Sequence, residues 1–175
     1  MILKILLAVC VAIIGILAFA ATKPDTFSIQ RSITINAPPE RVFALVDDFH
    51  QWPLWAPQDQ EDATMRRSYG TQSSGVGAVS QWKSDGKAGA GEMAITAAIP
   101  NSRIDVTVDW IKPFKVRNTQ EFEITRDGQY VRVTWNAKGS NLYMMKIIEV
   151  FVGVDGLMGK HFDRGLKNLK AAAEQ

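Results

Sequence analysis

The sequence predicts an α+β domain: an antiparallel sheet of about seven strands packed on a long C-terminal helix, preceded by a separate hydrophobic segment. Three observations carry this prediction. An uncharged apolar run covers Ile5 to Ala21, short alternating runs separated by glycine turns fill residues 27 to about 140, and apolar residues then recur every three or four positions to Ala173. A length of 175 residues suits one domain, and 46% hydrophobic with 22% charged residues is ordinary globular composition, enough for a real core.

The first run, "ILLAVCVAIIGILAFAA", carries no charge over 17 residues and follows a single basic residue, Lys4. That length lies at the short limit for a bilayer-spanning helix and slightly beyond a usual signal-peptide core. Ala18-Phe19-Ala20 fits a small-x-small cleavage site, whereas the unbroken Ile/Leu run suits an uncleaved anchor. Residues 1–22 are therefore expected to be a transmembrane anchor or a signal peptide, with the anchor favoured. Lys4 keeps the N-terminus inside and the domain on the outer, periplasmic or extracytoplasmic side; cleavage would instead release a secreted or periplasmic domain. Cys10, the only cysteine, lies within this run, so the folded part can hold no disulfide and no thiolate metal site. It follows Val9, where a lipoprotein signal would need a small residue.

Past Thr22, Phe27, Ile29, Ile33 and Ile35 alternate with polar residues as a strand interrupted only by Arg31. Pro38 and Pro39 open a helix at its first turn, Glu40 complements its dipole, and Val42, Phe43, Leu45 and Val46 form its apolar face. The next stretch, "FHQWPLWAPQDQ", cannot continue that helix. Pro53 and Pro57 each lack an N–H and bias the preceding residue toward extended geometry, leaving a pinned connection that carries Trp52 and Trp55. About six alternating runs follow, with "SDG" and "RDG" as tight-turn signals. From about Leu142, the residues Tyr143, Ile147, Val150, Phe151, Val154, Leu157, Met158, Phe162, Leu166 and Leu169 mark one long amphipathic helix. Gly153, Gly156 and Gly159 each weaken it by up to about 1 kcal/mol relative to alanine, which predicts a kink or break at its middle.

Several chemistries are excluded or disfavoured. A formal charge of +2 creates no field to gather nucleic acid. His50 and His161 are far apart in the chain, and neither has a second histidine or carboxylate at metal-ligand spacing. No nucleophile elbow, phosphate loop or dinucleotide fingerprint occurs, so no cofactor is expected. Asp47 and Asp48 are adjacent at a helix end, where at most one can point inward; a solvated pair outweighs an acid/base pair, and no catalytic residue is assigned.

The segments "RSITINAPPERVFALVDDFHQWPLWAP", "GVGAVSQW", "GEMAI", "VTW" and "GKHFDRGLKNLKAAAE", in that order, resemble the polyketide cyclase/dehydrase-like branch of the START-like (SRPBCC) superfamily. The resemblance covers nearly everything from residue 27 to 174, and residues 26–174 are expected to form one such domain. It implies a helix-grip fold, a curved antiparallel sheet around the C-terminal helix with a deep apolar cavity between them. In such a fold Trp52 and Trp55 would either plug the cavity mouth or serve as core rings tying the short helices to the sheet, and the core reading is favoured.

Strand alternation supplies the wall of that cavity. If Phe122 and Ile124 point inward, Val116, Asn118 and Gln120 share their face; if Trp82 does, so do Ala78 and Ser80. Ile104, Val106, Val108 and Trp110, and Val131, Val133 and Trp135, form apolar inward sets. The candidate ligand-binding residues are thus Trp52, Trp55, Ser80, Trp82, Met93, Trp110, Asn118, Gln120, Phe122, Trp135 and Phe151. The two amides would hold a ligand head group or serve buried backbone and water. Three functions remain open: a module binding a hydrophobic or lipid-like small molecule, which is favoured; a cyclase- or dehydratase-like enzyme; and a chaperone-like interaction domain of the Hsp90-activator kind. A collapsed interior would favour the last.

Overall fold

Alternation from residue 26 to residue 140 produces seven strands in the computed structural model, which describes residues 1–175. They are β1 (Thr26–Ile35), β2 (Arg66–Tyr69), β3 (Val79–Lys83), β4 (Ala90–Ile99), β5 (Arg103–Lys112), β6 (Val116–Asp127) and β7 (Tyr130–Ser140). The helices are α1 (Ile2–Ala21), α2 (Pro39–Asp47), α3 (Pro57–Glu61), α4 (Tyr143–Val154) and α5 (Lys160–Ala173), with a 3₁₀ turn at Trp52–Leu54 and a π turn at Asp155–Gly159. All strands pair antiparallel in one sheet ordered β1-β7-β6-β5-β4-β3-β2. A meander from β2 to β7 is the cheapest way to join consecutive strands, and β1 completes the sheet beside β7.

The predicted inward alternation holds. Ile104, Val106, Val108, Phe122, Ile124, Val131, Val133 and Trp135 are buried, while the opposite face of the same strands carries charge. There Arg103 bridges Asp105 at 2.7 Å and Glu121 at 2.6 Å, and Arg117 pairs with Asp109 at 2.6 Å. Helix α5 covers the inner face through Phe162, Leu166 and Leu169. Arg31, the exception in β1, turns toward the helical layer and pairs with Asp155 and, at 3.1 Å, with Asp163. This is the helix-grip arrangement.

The C-terminal helix breaks where glycine was expected to weaken it. Gly153 takes φ 68° and ψ 169°, a conformation open to glycine and strained for other residues, so α4 leaves the line of α5. The broken helix also overturns one expectation for its apolar stripe. Phe151 is 68% exposed on α4, because a spacing of three and four defines a face without saying which way it points.

Candidate functional site

Trp52 and Trp55 are core residues, 1% and 0% exposed. Their indole Nε1 groups donate to the Val46 and Leu45 carbonyls, each at 2.9 Å. Those carbonyls belong to the last turn of α2, which has no intrahelical partners left for them. The W-x-x-W connection therefore satisfies the end of α2 while burying two large rings, which is why the prolines hold it off the helical path. With Phe49, Phe122, Trp135 and Phe162 the two tryptophans form a continuous aromatic cluster, adjacent centroids lying 4.3–6.1 Å apart. The cluster fills the space between sheet and α5. The deep central cavity implied by the resemblance is thus closed, and Trp52 and Trp55 do not stand at a mouth.

Ser80 and Met93 are also buried. Ser80 Oγ accepts from Arg67 Nη1 at 3.0 Å, and Arg67 makes a two-pronged pair with Asp59 at 2.5 and 2.7 Å. This ion pair is nearly dry, with side-chain exposures of 5% and 7%. It ties α3 to the edge strand β2 and its neighbour β3. Nothing in the sequence marks two residues eight positions apart across a turn as partners. Trp82 packs edge-on against Trp110 at 5.1 Å and donates to the Ala88 carbonyl at 2.9 Å.

A mostly apolar pocket lies at one end of the sheet. It measures about 260 Å³ and is bounded on one side by Trp110, Pro113, Phe114 and Val116 around the β5–β6 turn, and on the other by Leu142, Met145, Leu157 and Met158 of the C-terminal segment, with Phe27 between. Its polar groups are Asn118, Ser140, Asn141 and Glu149. The Glu149 carboxylate, 8% exposed, accepts from Asn141 Nδ2 at 3.0 Å, and Asn141 also donates to the Pro24 carbonyl at 3.3 Å. Next to it Lys146, 6% exposed, pairs with Asp25 at 2.5 Å and holds that carboxyl below the usual range. Asn118, with its amide oxygen toward the Trp110 indole, accepts from Nε1 at 3.2 Å and donates to the Arg117 carbonyl at 3.1 Å.

Of the eleven candidates read from the sequence, Trp110 and Asn118 line this pocket. Trp52, Trp55, Ser80, Trp82, Met93, Phe122 and Trp135 are buried in the core instead, and Phe151 faces outward. Gln120 is half-buried and does not line this pocket. Its Oε1 and the Nε1 of Trp135 are both buried without a hydrogen-bond partner. Gln120 stands opposite Ala137 and Phe122 opposite Trp135, so Gln120 and Trp135 are diagonal neighbours on the inner face. Glu149 and Asn141 were missed. The available signal was Lys146 and Glu149 interrupting an apolar stripe.

The outer face carries another depression, of about 200 Å³, between Arg103, Asp105, Thr119, Glu121, Asn136 and Lys138. Its polar side chains are largely paired with one another, and it has almost no apolar wall. The end pocket is the one with a mostly apolar wall. Elsewhere, burial pushes Asp47 up and His161 down. The two groups lie on different elements, and no three His, Cys, Asp or Glu side chains converge as a metal-binding set.

No curated protein matches the chain. Among solved structures, the di-domain ARO/CYC protein BexL of the BE-7585A biosynthetic pathway superposes with a TM-score of 0.63 at 16% identity, covering 90% of this chain and 53% of its own. Protein Mll3558 from Rhizobium loti gives 0.58 at 24% identity, covering 84% and 96%. The Aha1 dimer from Colwellia psychrerythraea gives 0.57 at 16% identity, covering 85% and 96%. These likenesses show a shared fold. The family model described as polyketide cyclase / dehydrase and lipid transport matches residues 26–174. By that match the chain belongs to this family, within the START-like SRPBCC superfamily, and its domain is a ligand-binding or cyclase-like one.

Proposed function

We propose that this domain binds a hydrophobic or lipid-like small molecule in the pocket between the β5–β6 turn and the α4 end of the C-terminal segment, while α1 anchors it to a membrane. The observation that carries this reading is a pocket whose walls are aromatic and aliphatic and whose few polar groups gather around the buried Glu149–Asn141 pair. Such a lining suits an apolar body with one hydrogen-bonding end. At about 260 Å³ the pocket is just below the usual 300–1,000 Å³ of small-molecule sites, so it holds a small ligand whole or one end of a longer one. The family's description, which includes lipid transport, supports the same substrate class. α1 supports the anchor: its 20 residues carry one charge, Lys4, near the N-terminal end and only Ala20 is buried, and at 1.5 Å each they match the roughly 30 Å of a bilayer core.

The test is to fill the pocket. Met145→Trp adds bulk to its wall, and titration of the full chain in detergent with a fluorescent fatty-acid probe should show affinity lost while the melting temperature holds. Undiminished binding in this variant would place the probe elsewhere and end the reading. One observation favours a second function. The aromatic cluster closes the centre of the fold, as expected of an interaction domain, and that alternative gains if neither native mass spectrometry nor titration finds a ligand.

A further inference from the structure

Helix α4 is inside out. Its charged residues, Lys146 and Glu149, point into the protein and are 6% and 8% exposed. Its exposed residues are Tyr143 at 47%, Met144 at 55%, Ile148 at 37%, Phe151 at 68% and Val152 at 51%. A surface helix in water shows the reverse pattern, since each of these side chains forfeits its transfer out of water. The inversion is fixed by specific partners: Asp25 holds Lys146 at 2.5 Å and Asn141 holds Glu149 at 3.0 Å, so α4 cannot simply roll over.

Two further features adjoin this face. α4 packs along α1, and Tyr143 Oη donates to the Leu17 carbonyl at 2.9 Å, so the apolar surfaces of the two helices are continuous. Across the pocket, the β5–β6 turn exposes Ile111 at 52% and Phe114 at 50%, each followed by an exposed lysine, Lys112 and Lys115. Apolar tips flanked by lysines match a bilayer surface, with hydrocarbon for the rings and anionic head groups for the ammonium groups.

We propose that α4 and the 111–115 turn rest on the lipid bilayer beside α1, so that the pocket between them opens onto the membrane and exchanges its ligand with it. The occupant of the apolar face is the bilayer because whatever covers α1 must also cover the helix packed against it. This inference rests on the anchor reading of α1 and extends the ligand-binding one: a pocket too small for a whole lipid can take one end while the remainder stays in the membrane.

The test uses the full chain in vesicles of phosphatidylcholine and phosphatidylglycerol that carry a quencher on their acyl chains. An environment-sensitive fluorophore is placed on the native Cys10, or, in a Cys10→Ser background, on Phe151→Cys, Val152→Cys or, as a control on the outer sheet face, Thr125→Cys. The labels at 10, 151 and 152 should shift to the blue and lose most of their emission to the quencher, and that at 125 should do neither. Quenching at 10 without quenching at 151 and 152 would overturn the docking of α4 and leave the anchor standing, including the case where a second copy of the chain shields these positions. No quenching at any site would overturn both. A fatty-acid probe titrated into the same vesicles reports pocket binding separately: quenching at 151 without any binding would keep the membrane contact and remove the pocket reading.

Discussion

At the scale of single residues, the same side-chain chemistry serves different ends according to its partner. Trp52 and Trp55 could be recognised as core from ring size and the prolines around them, but their second task, receiving the last carbonyls of α2, depends on a return of the chain that no pattern announces. Trp55→Ala should cost about 3–5 kcal/mol by thermal or denaturant unfolding. Trp55→Phe keeps most of the ring and leaves the Leu45 carbonyl unpaired, which should cost about 1–3 kcal/mol. Loss of probe binding at unchanged stability would instead return Trp55 to the pocket. Asp47 gives a pH-dependent case. Burial raises its pKa in the folded state, and its Oδ1 has no partner. The folded protein therefore holds this proton more tightly than the unfolded chain, a contribution present at low pH that is lost as pH rises through the folded pKa. At pH 7 the cost of burying the carboxylate is offset only in part by the Gly75 N–H, so Asp47→Asn should raise the melting temperature there, and the gain should vanish in acid where Asp47 is protonated. A gain independent of pH would mean that charge is not its source. His161 has the opposite sign: burial lowers its pKa, so stability should fall as pH drops below about 6.5, and His161→Gln should flatten that fall.

At the scale of elements, strands were more legible than helices because a period of two has only two faces and the charged one identifies itself. Gln120, Phe122 and Ile124 on one face of β6, and Thr119, Glu121 and Glu123 on the other, could be separated before any contact was known. The C-terminal helix was harder. Its stripe has the same spacing whether it faces the sheet, as Phe162, Leu166 and Leu169 do, or the outside, as Phe151 does. Only the break at Gly153 separates the two behaviours, and the glycine marked where the break would fall without revealing how α4 would turn. The pocket inherits this difficulty, since half its wall comes from the segment whose orientation the sequence left open. Trp110 and Asn118 were legible through strand alternation; Met145, Glu149 and Phe114 were not. Gly165 tests how closely α5 approaches the sheet. A Cβ there would stand 2.6 Å from the Trp135 ring, so Gly165→Ala should destabilise the fold by about 1–3 kcal/mol despite alanine's better helix propensity. A stabilised variant would show that Trp135 can move aside and that the cluster is looser than its centroid distances imply.

At the scale of the whole molecule, the chain divides into a folded domain and a helix that contributes little to its core. The buried cluster runs from Ile29 to Ala173 and contains no residue of α1; Ala20 is the only buried residue of that helix. A chain beginning at Thr22 should therefore fold, with a melting transition close to that of the full chain. It should also need detergent or low concentration to stay dispersed, because removing α1 leaves the apolar face of α4 beside newly uncovered surface. Expressed at full length in a bacterium, the protein should fractionate with membranes and resist alkaline carbonate, since helices inserted through a bilayer are not released by disrupting electrostatic contacts. The competing outcome can be read from the intact mass. Cleavage after Ala20 would give a mature chain beginning at Ala21, remove the Leu17 carbonyl that Tyr143 uses, and reject the anchor in favour of a signal peptide. The two outcomes also differ in what becomes of α4. With α1 retained, Phe151 and Val152 lie beside a helix already in lipid; with α1 cleaved, the same residues must find another apolar surface or drive self-association. Carbonate extraction, intact mass and sedimentation of the mature chain together separate an anchored domain from a released one.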